Sequence, residues 1–402
     1  MNAKKTVLLS LSMMMAGTML LYATGGAVKV NAVQANIGHL TPAISLKSLG
    51  TEEQKKAVQQ ALDEMVALGI PGVLAQSLKD GVKWGYAAGK ANIHSGRSIQ
   101  PDFHFRIGST TKTFTATVVL QLVGEGKLSL DDTVEKWLPG VVQGNGYDGS
   151  KITIRQLLNM TSGIASFNEA NTQFAKDALE NPLKSYKPEQ LVKLGLQQKP
   201  LFAPGTSWFY SNTNYVLASL IIEKVTGSTY PEQVRNRIIE PLQLKNTYVP
   251  EASQHQLPEP YTRGYFAQKP GGDLRDFTEI NATAAYASGG MVSTAGDINR
   301  FFTELLSGKL LKPEQMKQMF EDTVDSPNGR YGLGIFETKL ANGVAVWGHN
   351  GAIPGYLTFV GGTLHGKHVI SYSLNLLAID KMKSIKEISQ KVLEAEFTHS
   401  AK

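Results

Sequence analysis

The chain has 402 residues, a formal charge of +6, 42% hydrophobic and 18% charged residues, and no cysteine. Such a length holds two domains or one large catalytic domain with an inserted subdomain, and the balance of apolar to charged residues excludes a disordered or collagen-like chain. Without cysteine there is no disulfide framework, no thiol nucleophile and no cysteine-linked lipid anchor.

Residues 1–35 open with Lys4 and Lys5, continue through an apolar run from Val7 to Ala23, and reach small residues ahead of Ala32 and Ala35. This is the pattern of a secretory signal, cleaved after Ala32 or Ala35. The run is nearly long enough to span a bilayer, so an uncleaved anchor is the alternative. Lys4, Lys5 and Lys29 are the only charges in this stretch, and losing them lowers the formal charge from +6 to +3. The remainder has no basic block or aromatic-interleaved patch that would suit nucleic acid.

Residues 36–50 read as a leader, and 51–398 as the folded domain. A helical pattern over 52–68 is stopped by Gly69 and Pro71. Residues 72–89 alternate apolar positions on both sides of Asp80-Gly81, a strong hairpin signal. From about 113 to 300 the patterns are mostly helical, joined by Gly-, Pro- and Asn-rich turns, which predicts a helical subdomain. Strand-like runs return at 331–340, 343–351, 356–364 and 368–377, and a helical pattern over 380–397 follows. Strands near both ends of the chain can pair into one sheet. The expected class is α+β, an antiparallel β-sheet flanked by helices (residues 51–112 and 300–398) beside an all-helical subdomain.

Three short clusters carry chemistry. Ser109-Thr-Thr-Lys112, the only Ser-x-x-Lys in the chain, puts a hydroxyl and an amine on one face of a helix start, where the amine can take the hydroxyl proton. Phe114, Val118 and Leu122 give that helix a face to bury, and its N-terminus favours the anion formed in acyl transfer. A capping serine with a solvated lysine is the bland alternative, but an apolar, tightly packed helix is a poor place for a lysine unless its ammonium has partners or a depressed pKa. Tyr210-Ser211-Asn212, the only Tyr-x-Asn, offers a phenol to move a proton and an amide to hold a carbonyl or the lysine. His349-Asn350-Gly351-Ala352 follows an apolar strand, where glycine lets a substrate backbone lie against the strand edge. His94-Ser95-Gly96 repeats the His-x-Gly spacing in a polar turn and reads as loop.

Ser109-x-x-Lys112, Tyr210-Ser211-Asn212 and His349-x-Gly351, in that order, resemble the penicillin-recognising serine hydrolases, in particular the class C β-lactamase and Streptomyces-type D-alanyl-D-alanine carboxypeptidase branch with the Bacillus alkaline D-peptidases. The resemblance covers about residues 51–397. It implies Ser109 as acylated nucleophile, Lys112 as its proton acceptor and Tyr210 as the shared acid and base. It implies Asn212 binding Lys112 and the substrate amide, His349 and Gly351 in the substrate-facing triplet, and the N–H groups of Ser109 and Ala352 as an oxyanion hole. Carboxypeptidases of this branch carry an arginine in the strand ahead of His-x-Gly; here that stretch is Gly334-Ile335-Phe336-Glu337, so Phe336 suggests an apolar subsite for aromatic D-residues. Asn350 stands where threonine is usual.

The function expected is a secreted, extracellular or cell-wall-associated serine peptidase acting on D-amino-acid-containing peptides, a monomer without cofactor or metal. A small peptide, a peptidoglycan stem peptide or a β-lactam is its expected ligand. A D-alanyl-D-alanine carboxypeptidase with Arg263 or Arg275 as carboxylate receptor, a β-lactamase or esterase, and a non-catalytic penicillin-binding sensor are the alternatives. His365-x-x-His368 has no carboxylate or cysteine nearby in sequence and reads as a surface strand end, not a zinc site. Asn159-Met160-Thr161 matches a glycosylation triplet inside a helical turn and carries no weight.

Overall fold

The structure, a computed structural model, describes residues 51–398 apart from 171, 268 and 270. The expected signal and leader, 1–50, lie outside the described residues. Helix α1 (Thr51–Ala67) leads into the hairpin of β1 (Gly72–Lys79) and β2 (Val82–Gly89). Asp80 and Gly81 both adopt positive φ, +49° and +82°, the turn whose twist matches antiparallel strands. Helices α2 (Thr111–Gly124), α3 (Asn212–Thr226) and α4 (Ala295–Leu306) are the longest of the middle section. They are followed by β3 (Val324–Ser326), β4 (Gly329–Tyr331), β5 (Phe336–Lys339), β6 (Ala345–Gly348), β7 (Gly351–Ile353), β8 (Tyr356–Gly362), β9 (His368–Leu374) and the C-terminal helix α5 (Met382–Glu396).

These nine strands form one antiparallel sheet in the order β2-β1-β9-β8-β6-β5-β4-β3, with β7 paired to β8. The hairpin expected near one end of the chain and the strands expected near the other therefore meet, with Val73 opposite Leu374 and Lys79 opposite His368. The middle section is not purely helical. Phe105–Arg106 pairs with Val292–Ser293, and Tyr265–Ala267 pairs with Leu274–Asp276 and with Leu376–Ala378.

Alternation along the strands sorts the layers. On β1 the Ser77 hydroxyl bonds Glu396 of α5, while the neighbouring Gln76 carbonyl accepts from Asn299 of α4 at 2.8 Å. On β9 His368 likewise reaches Glu396, and Ser371 donates to Ala295 O at the start of α4. One face of the sheet is thus covered by α5 with α1 beside it, and the other by α4. Helix α2 runs behind that second face with 11 of its 14 residues buried, so the one-sided apolar stripe anticipated for it is too narrow a description. Its threonines make this possible by spending their hydroxyls on carbonyls: Thr113 on Gly334, Thr115 on Ala287, Thr117 on Thr113.

His368, expected at the surface, is buried, with Nε2 2.6 Å from Glu396 Oε1. The carboxylate comes from α5, 28 residues away in the chain, a separation at which local spacing carries no signal. His365 stays exposed at φ +72°. His94 lies in an exposed turn, and the Asn159 side chain is buried, accepting from Thr161 Oγ1 at 2.7 Å.

Candidate active site

Ser109 sits in the short 3-10 turn Gly108–Thr110 that runs into α2. That turn is pressed against β7. Gly108 adopts φ +52°, and a β-carbon on it would lie 2.8 Å from Ala352 N; one on Gly351 would lie 1.9 Å from Ile107 O and 3.1 Å from Ser109 N. Only two glycines let these backbones approach. The close approach sets the backbone of Ser109 beside that of Ala352.

One turn into the helix, Lys112 is fully buried. Its Nζ lies 3.2 Å from Ser109 Oγ and donates to Asn212 Oδ1 and to the Ser288 carbonyl, both at 2.6 Å. Three neutral oxygens and no carboxylate surround it, so burial holds the ammonium well below its ordinary range. The rings of Tyr210 and Tyr215 lie 4.7 and 5.5 Å from the same nitrogen.

Tyr210 and Asn212 flank the entry to α3. Ser211, the N-cap, is extended at φ −127° and ψ 119°, and this bend from extended chain to helix turns the phenol and the amide toward Lys112. Asn212 Nδ2 donates to Asn168 Oδ1 at 3.0 Å and its backbone N–H to Ser166 Oγ at 2.9 Å, so the amide is oriented with its oxygen toward Lys112. The Tyr210 hydroxyl has no hydrogen-bond partner among the described residues, although it faces Ser109 closely enough for that hydroxyl to ease its ionisation. Burial dominates and, with Tyr331 and Glu169 nearby, holds the phenol protonated well above its usual value.

His349 is buried at the end of β6. Its Nδ1 lies 2.6 Å from Asn350 O and donates there, leaving Nε2 to accept from Tyr331 Oη at 3.4 Å. Burial, then the charge of Lys112, holds its pKa down to about 3, so the imidazole is neutral. Phe336, opposite Gly348 across the sheet, packs its ring 5.2 Å from His349 and 4.4 Å from Tyr331. Trp208 adds a further ring 5.8 Å from Tyr331, with its buried Nε1 unpartnered among the described residues. A cleft beside the nucleophile is lined by Ser109, Phe167, Asn168, Asn212, Ser288 and Ala352.

Every residue singled out in the three clusters is therefore in one place. Several neighbours escaped sequence reasoning: the Ser288 carbonyl, which is main chain; Ser166 and Asn168, which orient Asn212; Tyr331; and Glu169, whose carboxyl burial pushes up to about 8. Tyr331 opens the strand-like run 331–340 and was legible only as a strand residue. Arg263 is bound to Asp276, and Arg275 donates to Leu179 O while stacking over Phe277. Both candidate carboxylate receptors are thus engaged away from Ser109. No cluster of three or more His, Cys, Asp or Glu residues able to hold a metal occurs among the described residues.

Residues 58–385 match the family described as Beta-lactamase. Penicillin-binding protein 4* of Bacillus subtilis (strain 168) is 29% identical over 328 residues, 77% of this chain and 68% of its own length. Protein flp of Staphylococcus aureus (strain MW2) is 25% identical over 77% of this chain and 61% of its own length. Among solved structures, a D-stereospecific amidohydrolase from a Streptomyces species is 44% identical with a TM-score of 0.77, covering 85% of this chain and 98% of its own. A D-amino acid amidase from Ochrobactrum anthropi SV3, complexed with L-phenylalanine amide, is 29% identical with a TM-score of 0.74 over the same shares, 85% and 98%.

Proposed function

We infer the activity from one premise: the chain belongs to the beta-lactamase family and is a serine hydrolase of it. We propose that it is a secreted enzyme, exported by residues 1–35, that hydrolyses D-amino-acid peptides and amides through an acyl-enzyme on Ser109. The observation that carries the proposal is the position of Lys112 Nζ, 3.2 Å from Ser109 Oγ in a pocket without a carboxylate. A lysine stripped of solvent and counter-charge gives up its proton readily, and the free amine then accepts the proton of Ser109. The serine oxygen attacks the carbonyl carbon, and the oxyanion is received by the N–H groups of Ser109 and Ala352, an arrangement worth ~10² to 10³ in rate. Tyr210, protonated at rest, hands its proton to the departing nitrogen and regains one through Ser109 and Lys112. Water then repeats the sequence on the ester.

D-configured substrates are supported by the two solved relatives whose names carry that specificity. An apolar, aromatic residue at the scissile bond is supported by the ring wall of Phe336, Tyr331 and Trp208. The engagement of Arg263 and Arg275 elsewhere counts against a carboxylate-directed carboxypeptidase. The test compares kcat/KM for D-Phe and L-Phe amides and for matched D-Phe peptides with free and amidated C-termini, with fluorophosphonate labelling located by mass spectrometry. Labelling on Ser109, a large D over L preference and indifference to the terminal carboxylate are expected. A hundredfold preference for the free acid, about 2.7 kcal/mol, makes the enzyme a carboxypeptidase instead.

A further inference from the structure

A cavity of about 340 Å³ is distinct from the cleft lined by Ser109. Strand alternation places it on the opposite face of the sheet. Gly351 points at Ile107 and the nucleophile turn, so its neighbour Ala352, opposite Leu357 on β8, points away. Leu357 shares its face with Phe359 and Gly361, Phe359 pairs with Tyr372, and Gly361 pairs with Gly348, which faces Phe336. These residues all line the cavity, and the stripe Met382, Lys386, Ser389 and Leu393 of α5 forms its other side.

Its chemistry is specific. The walls are apolar, with the Phe359 and Tyr372 rings stacked at 4.8 Å. Two hydroxyls, Tyr372 Oη and Ser389 Oγ, lie behind that wall, closed off from solvent, with Ser389 close enough to ease Tyr372 ionisation. At the rim is Lys386, exposed, and no Asp or Glu lines the cavity. With His349 neutral, Lys386 is the single ionised side chain of the lining. The volume falls within the ~300–1,000 Å³ typical of small-molecule sites.

We propose that this cavity is a second binding site, bounded by α5 and adjoining the catalytic site at Phe336, His349, Gly351 and Ala352, for a small anionic amphiphile: an alkyl or aryl carboxylate whose body lies among Phe359, Leu357 and Leu393. Its carboxylate meets Lys386. Gly348, Gly351 and Ala352 form the far end of the same cavity, so its occupant rests against the back of the strand whose front faces Ser109.

Decanoate, titrated calorimetrically into the full chain after Ser109 has been blocked with a fluorophosphonate, tests this directly. Saturable one-to-one binding is expected, weakened about tenfold by Lys386→Glu and abolished by Leu393→Trp, which fills the cavity; decyltrimethylammonium should not bind. Retained fluorophosphonate labelling before blocking shows that each variant is folded. Binding that disappears when Ser109 is blocked, binding indifferent to Lys386→Glu and to Leu393→Trp, equal affinity for the ammonium amphiphile, or no binding at millimolar decanoate would each overturn the proposal.

Discussion

Two buried polar clusters lie on opposite faces of the same sheet, and they differ in one respect. Around Lys112 a cation is enclosed by neutral oxygens from Ser109, Asn212 and Ser288. Beneath α5 a carboxylate, Glu396, is enclosed with a histidine, His368, and the Ser77 hydroxyl, while Gln54 of α1 holds the Glu396 carbonyl. The first cluster leaves its charge uncompensated, which makes the proton easy to remove. The second sets an imidazole against its carboxyl and joins the two terminal helices to the sheet. A buried ionisable group becomes reactive when its partners are neutral and structural when its partner can carry the opposite charge.

Substitutions sharpen that contrast. The largest effects belong to the first cluster. Ser109→Ala should lower kcat by about 10⁴-fold or more, and Lys112→Arg by a similar factor, because a guanidinium cannot be neutral at working pH. Lys112→Met should be equally inactive yet melt no lower than the parent, since it removes a desolvated charge from the interior. Tyr210→Phe comes next, with a loss of about 10² to 10⁴; combined with Lys112→Ala it should cost scarcely more than the single change, because both belong to one proton path. An additive double mutant would separate the two residues.

In the second cluster Glu396→Ala should leave kcat nearly intact and destabilise the fold by about 3 kcal/mol, measured by denaturant titration. A loss of activity without loss of stability would reverse the division between the clusters.

The remaining effects are in pH dependence. His349 is held at about 3, below its ordinary 6.5. Its contribution to stability is therefore complete above pH 6.5 and is lost as pH falls toward 3, because the unfolded chain takes up a proton that the native site refuses. Glu169, raised from 4.5 to about 8, has the opposite sign: its contribution is complete below pH 4.5 and is lost as pH rises through 8. Melting curves of His349→Gln and Glu169→Gln against the parent should flatten the acid and the alkaline side respectively.

Much of this was written in the chain itself. Ser109 to Lys112 is one turn of helix and Tyr210 to Asn212 is one bend, so local geometry already turned each pair to a common side. The Asp80-Gly81 hairpin is local in the same sense. Three kinds of fact needed the tertiary structure. The Ser288 carbonyl is main chain and has no side-chain signature. The depressed pKa of Lys112 depends on what surrounds it, and its neighbours come from residues 100 and 176 positions away. His368 could be read only as a strand end until α5 folded back to place Glu396 against it, 28 residues on. Spacing along a helix or strand decides which side chains share a face. Burial, charge compensation and cavities arise where distant segments meet, and those segments meet only once the sheet has closed over both ends of the described chain.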